Sequence, residues 1–248
     1  MTKVWINIAS VLAAPSPPSP ITGFAIIYNR HLDDQLIPIL SGGGSGHEPA
    51  HSGFVGDGML SAAIYGDIFT PPTATDILEA LRFLDKGKGV FVIIKNFEAD
   101  IREFSQAIHL ARQEGRNIKY IISHDDISVE PKKQFQMRHR GLAGTILLHK
   151  ILGAAAQSGA SLDDLEHLAF DLATEIATIG FATKSASLPN AALPLFDLPN
   201  HQIHMELVFM AKKAIARSRL CHQSILLWKL LISFKLNFIG KKTNILFF

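Results

Sequence analysis

The sequence predicts an α/β protein with a mostly parallel sheet flanked by helices, followed by a truncated or scrambled second domain. Strand-length apolar runs alternate with segments of helical period, the pattern of a sheet whose strands are joined by crossover helices. Val90 to Ile94 is apolar without interruption, as expected of a strand covered on both faces. Near residue 208 the composition changes abruptly, which separates a body from a tail.

Residues 1–35 read as an atypical N-terminal segment. The first 30 hold no acidic side chain, and the Pro-Ser cluster from Pro15 to Pro20 suits neither a helix nor a central strand. Met1 to Ala14 has the outline of a signal peptide, but Lys3 is its lone charge, and Asn7 and Ser10 interrupt its apolar run. Residues 36–185 read as an α/β domain that holds a small ligand. It starts with the apolar run Leu36 to Leu40, which feeds Gly42, Gly43, Gly44 and Gly46 and then His47 and Glu48, an order read as strand, tight loop and polar tip.

Thr73 to Leu84 has helical spacing at Ile77, Leu78, Leu81 and Leu84 behind a threonine cap, and Gly87 and Gly89 stop it. Lys95 to Asp100 is the expected loop after the strand Val90 to Ile94. Ile101, Phe104, Ile108 and Ala111 mark a second helix, closed by Gly115, and Ile118 to Ile122 a further buried strand that leads into His124, Asp125 and Asp126. A helix with many small residues is expected from Gly141 to Gly159, and Ser161 with Asp164 caps another that runs to about Thr178. Residues 186–207 read as the start of a second domain, and 208–248 as a basic tail.

Composition narrows the function. The hydrophobic fraction of 48% is ample for a core, and the formal charge of +2 gives no reason to expect a nucleic-acid partner. The single cysteine, Cys221, excludes an internal disulfide framework and suits a reducing, cytoplasmic setting. Val208 to Phe248 carries eight Lys or Arg and no Asp or Glu, which leaves 16 basic and 22 acidic side chains in the other 207 residues. In Ile225 to Ile239 the apolar residues are interrupted by Lys229 and Lys235, too short a run to span a membrane, which at most suits an interfacial helix.

The glycine cluster is flanked by apolar sequence, unlike a flexible linker, and it fits neither G-x-x-x-x-G-K-[ST] nor G-x-G-x-x-G. A loop around a small ligand is the favoured reading, with a ligand-free strand-to-helix turn as the competitor. Three polar sets fall at predicted carboxyl ends of strands: Gly44 to His47, Lys95 with Asp100, and His124 with Asp125 and Asp126. Open α/β sheets bind ligands at that edge, so the first two are expected to converge. The third is read as a polar strand-end turn. His51 lies four residues after His47, but Pro49 between them argues against a helical metal-binding pair. Lys132, Lys133, Arg138, His139 and Arg140 read as a solvated or docking face.

Ser41-Gly-Gly-Gly-Ser-Gly-His-Glu-Pro49, His51, Gly53, Gly56, Gly58-Met59-Leu60 and Gly66-Asp67-Ile68-Phe69-Thr70 resemble the signature of the substrate-binding subunit of dihydroxyacetone (glycerone) kinases. Ile93-Ile94-Lys95-Asn96-Phe97-Glu98-Ala99-Asp100 and Arg140-Gly141-Leu142-Ala143-Gly144-Thr145 extend the similarity, which runs from about Leu36 to about Glu206. The resemblance implies a phosphotransferase subunit that presents dihydroxyacetone for phosphorylation to dihydroxyacetone phosphate. It implies that Gly44, Ser45, Gly46, His47, Lys95 and Asp100 contact the substrate, with His47 and Asp100 catalytic and no metal site. The chain itself has no Walker or protein-kinase motif. By resemblance it needs no cofactor of its own: ADP or ATP with Mg²⁺ sits on a partner subunit, recharged in bacterial versions by a phosphocarrier protein, and the substrate subunit is a homodimer. Paralogues that act as coactivators of transcription factors give the alternative, a non-catalytic dihydroxyacetone-binding regulator.

Similar proteins also carry a histidine in a Gly-Ile-His-Gly-Glu-[Pro/Glu]-Gly motif, which bonds covalently to the ketone. After Met205-Glu206-Leu207, where it should begin, this chain reads Val-Phe-Met-Ala-Lys-Lys-Ala, which lowers the activity expected of it. If the Leu207 codon ends in G, the frame one base earlier can encode Gly-Ile-His-Gly-Glu-Glu-Gly over Val208 to Ala214. The acid-free tail is therefore read as out-of-frame translation, and an inactive frameshifted product is a third expectation. Sequencing the gene across Leu207 tests this: the neighbouring frame is expected to continue as a domain with glycines and acidic residues, and a frame that soon meets stop codons defeats the hypothesis.

Overall fold

The computed structural model describes residues 13–15, 25–126, 140–182, 185, 187, 202–205 and 217–219. They fall in two compact units, Met1–Ser123 with Thr145–Ala173, and His124–Gly144 with Thr174–Phe248. The first unit holds a six-stranded sheet: β1 (Ala13–Pro15), β2 (Ala25–Asn29), β3 (Ile39–Ser45), β4 (Ala62–Ile68), β5 (Val90–Lys95) and β6 (Ile118–Ser123). The spatial order is β1-β2-β4-β3-β5-β6. β4, β3, β5 and β6 run parallel, and β2 and β1 add two antiparallel pairings at one edge. The sheet is thus mostly parallel, as the alternating pattern predicted. β2 comes from the compositionally odd N-terminal segment and still pairs with β4 through Ala25 to Tyr28.

Four helices accompany the strands: α1 (Ala74–Leu84), α2 (Glu98–Gln113), α3 (Gly144–Gln157) and α4 (Leu162–Glu175). Thr73 Oγ1 accepts from the Asp76 amide and starts α1. Ser161 and Asp164 exchange amide bonds in a capping box ahead of α4. Ile77, Leu81, Phe104 and Ala107 turn inward and join Leu40, Ile64, Val92 and Ile94 in one cluster. Because side chains alternate along a strand, the even residues of β3 and β5 face α1 and α2. The odd ones, Ser41, Gly43 and Lys95 among them, lie on the opposite face.

Two expectations are corrected. Gly42, Gly43, Gly44 and Ser45 continue β3 and are not a loop. A Cβ at Gly42 would stand 2.3 Å from the Ile64 carbonyl oxygen, and one at Gly44 2.5 Å from the Thr70 nitrogen. The glycines let β3 and β4 pack closely where a side chain would force them apart, which outweighs glycine's poor strand propensity. Likewise Lys95 ends β5 and Glu98 to Asp100 form the first turn of α2, so Asp100 is held on a helix and not on a loop.

The second unit holds a three-stranded antiparallel sheet of β7 (Phe181–Ala182), β8 (Gln202–Met205) and β9 (Arg217–Arg219). The buried Asp125 accepts from the amides of Leu142 (3.0 Å) and Gly144 (2.8 Å) and from the Thr178 hydroxyl, and Asp126 pairs with Arg140. The His124-Asp125-Asp126 turn is therefore a structural clamp, and Arg140 belongs to it rather than to a solvated face. Lys132, Lys133, Arg138 and His139, and nearly all of the basic tail, lie outside the described residues. Among the described residues no helix is long and apolar enough to cross a membrane.

Gly42→Ala is expected to lower stability by about 1–3 kcal/mol through overpacking, read as a fall in the urea midpoint. An unchanged midpoint would mean that β3 and β4 do not approach this closely.

Candidate functional site

The site grows out of the carboxyl end of β3. Gly46, at φ 98°, turns the chain away from the sheet, a conformation that side chains other than glycine rarely adopt. The Glu48 carboxylate accepts from the Gly46 amide at 3.1 Å and holds that turn. Beside it, the Ser45 hydroxyl donates to the Gly66 carbonyl at 2.7 Å, and the Phe69 amide donates to Ser45 O at 2.9 Å. The turn after β4 thus braces the end of β3, and the Ser45 hydroxyl proton is committed to that brace.

His47 follows the turn, half-buried, with the Phe69 ring 5.3 Å away between centroids. Its Nδ1 lies 2.9 Å from Gly44 O. A carbonyl can only accept, which puts the ring proton on Nδ1 and makes Nε2 the basic nitrogen. Burial, reinforced by the charge of Lys95, lowers the imidazole to about 4 against the opposing pull of Gly44 O and Glu48. The ring is therefore a neutral base near pH 7.

Lys95 and Asp100 both reach the space beside Gly43 without forming a direct ion pair with each other. The parallel register Ser41↔Ile93, carried two residues further, sets Gly43 beside Lys95. A Cβ on Gly43 would lie 2.8 Å from Lys95 Nζ and 3.0 Å from Asp100 Oδ1, so the missing side chain is the space the two charged groups share. Both residues are only 7% exposed. Burial pushes the Asp100 carboxyl up and Lys95 limits the rise, while burial pulls the Lys95 ammonium down and Asp100 limits the fall. The start of α2 adds the positive end of its dipole beneath Asp100. Lys95 also lies 5.8 Å from the Phe97 ring centroid.

Sequence reasoning missed what lies beneath this pair. His51 turns inward and is 1% exposed, within 3.3 Å of both the Ser41 hydroxyl and Nε2 of His149 on α3, which is fully buried. The Tyr65 hydroxyl accepts from the amides of His51 and Ser52. The one signal for His149 was a histidine directly after the apolar run Ile146-Leu147-Leu148. Of the predicted residues, Lys95 and Asp100 come together at Gly43, His47 sits against Gly44 O and Phe69 within reach of the Lys95 charge, and Gly44 packs against the Phe69–Thr70 turn. Two cavities of about 350 and 370 Å³ open elsewhere, both beside Leu36, Ile37 and Lys88 at the amino ends of the strands, and neither is lined by His47, Lys95 or Asp100.

The arrangement combines a neutral imidazole, a buried ammonium and a buried carboxyl at one sheet edge. Together they can hydrogen-bond a small polyol and accept a hydroxyl proton.

The Dak1 domain profile matches residues 11–231. The DhaKLM operon coactivator DhaQ of Lactococcus lactis is 56% identical over 171 residues, which is 69% of this chain and 51% of that protein. The dihydroxyacetone-binding subunit DhaK of the PTS-dependent dihydroxyacetone kinase of the same organism is 46% identical over 183 residues, 74% of this chain and 55% of its own. The native dihydroxyacetone kinase of Citrobacter freundii superposes with a TM-score of 0.81 at 32% identity, covering 91% of this chain and 40% of that one. The chain spans about half the length of the curated relatives it matches. A match of this extent, on an α/β sheet that shares the fold of a solved kinase, places the chain in the Dak1 domain family.

Proposed function

We propose that this chain holds dihydroxyacetone and presents it for phosphorylation to dihydroxyacetone phosphate by a nucleotide-bearing partner subunit. One observation carries the reading: the buried Lys95 and Asp100 share the space left by Gly43 at the end of β3, and a neutral His47 follows on the same strand end within reach of the Lys95 charge. The relationship to a dihydroxyacetone-binding kinase subunit supplies the substrate class. In this reading His47 Nε2 takes the proton of the attacking hydroxyl, Lys95 donates to a substrate oxygen, and Asp100 orients or assists the same hydroxyl. ADP or ATP with Mg²⁺ belongs to the partner, and a phosphocarrier protein recharges it where the phosphoryl source is phosphoenolpyruvate. In this reading the described residues hold the ketone by hydrogen bonds from His47, Lys95 and Asp100.

A second reading is a regulator that binds the ketone without turnover, favoured by the 56% identity to an operon coactivator. The two separate in one assay. The chain is mixed with a nucleotide-bearing kinase subunit, and phosphate transfer to dihydroxyacetone is followed alongside ketone binding. Transfer supports the kinase reading, binding without transfer supports the regulator, and no binding refutes both.

If transfer occurs, His47→Ala is expected to lower kcat by about 10²–10⁴-fold with a much smaller effect on KM, as expected for loss of a general base. Only neutral His47 can accept a proton, and its pKa is lowered to about 4. The limb that His47 contributes should therefore stay flat from pH 8 down to about 5 and fall as pH drops through about 4. A His47-dependent fall near pH 6.5 would contradict the buried, neutral assignment.

A further inference from the structure

Three polar groups on the face below Lys95 have no part in the chemistry just described. Ser41 lies on β3, His51 four residues beyond His47, and His149 on α3, and all three are at most 1% exposed. The Ser41 hydroxyl spends its proton on the Ile93 carbonyl at 2.8 Å, so towards His51 it can only accept. His51 Nδ1 must then carry a proton, and it lies 3.3 Å from Ser41 Oγ and 3.3 Å from His149 Nε2. A single N–H shared between two acceptors explains why both contacts are long. His149 Nε2 is consequently the acceptor, which puts the His149 proton on Nδ1. The opposite order would press lone pairs together at Ser41.

We infer that Ser41, His51 and His149 form a positioning chain of fixed tautomers, which staples the segment carrying His47 to β3 and α3. The same segment is held from β4, because the Tyr65 hydroxyl accepts from the backbone amides of His51 and Ser52. Three elements thus grip residue 51, and His47 hangs from that grip and from the Gly46 turn. Burial and the nearby Lys95 charge hold both rings neutral, His51 well below its ordinary value and His149 at about 3. His47 is the further titratable neighbour of His51, and Glu48 faces His47 from its own loop. His51 Nε2 and His149 Nδ1 find no hydrogen-bond partner among the described residues. Buried polar atoms left so are costly, which marks the pair as more than filling.

The role as a positioning device rests on the catalytic reading of His47, but the geometry is tested without it. Long-range ¹H–¹⁵N correlation spectra of the full chain should show Nδ1–H tautomers for both His51 and His149. Nε2–H in either ring overturns the inference. In His51→Leu, amide exchange over residues 47–52 should quicken by about tenfold or more, since buried hydrogen bonds are lost. The His47 midpoint should also rise from about 4 towards the ordinary 6.5 as its ring becomes hydrated. In His51→Asn the side-chain amide can stand in for Nδ1–H, so exchange and the His47 midpoint should return to near the wild-type values. Equal behaviour of the Leu, Asn and wild-type chains overturns the staple. If His51→Leu does not fold, His149→Leu against His149→Gln gives the same comparison at the accepting end. Wild-type tautomers and shifts as expected, with no phosphate transfer, would refute the proposed function and leave the positioning chain standing.

Discussion

Everything at this sheet edge depends on one omission, the side chain at Gly43. A lysine and an aspartate can be removed from water together only if each offsets the other's charge, because an isolated buried ion carries a desolvation cost of several kcal/mol. The β3–β5 register puts Lys95 beside position 43, and the first turn of α2 puts Asp100 over it. A Cβ there would stand within about 3 Å of both charged atoms, so with any other residue the ends of the two side chains would have to shift. The pair in turn sets the electrostatics of its surroundings. The Lys95 charge adds to burial in keeping His47, His51 and His149 uncharged.

The alternation of elements was legible because a strand such as Val90 to Ile94 and a helix such as Thr73 to Leu84 announce themselves by local period and caps. The glycine segment was not, since flexibility and close packing leave the same trace in a sequence. Only the partner strand, with Ile64 against Gly42, shows that packing decides. His47, Lys95 and Asp100 could be placed at strand ends from sequence, yet the helix start at Glu98 was hidden because Phe97 precedes it without a side-chain cap. His51 was judged by its distance along the chain from His47, and its true partners lie 10 and 98 residues away. No local pattern encodes contacts of that range.

A site with this charge balance suits a neutral ligand. Burial and the Lys95 charge hold three imidazoles neutral, and Lys95 and Asp100 act on each other with opposite charge, so in the kinase reading an uncharged polyol ketone would meet donors and acceptors here. Its phosphorylated product carries close to two negative charges at neutral pH, comparable to a phosphorylated side chain. Among the described residues Lys95 is the cation whose charge reaches His47, and the Asp100 charge partly offsets it, so in the kinase reading the product would gain little there to offset the hydration of its phosphate. In the kinase reading, holding the substrate by hydrogen bonds and the product by little more favours release after transfer. Extra cations would strengthen product binding first, which gives a physical reason for histidines held neutral where arginines would also fit the need for donors.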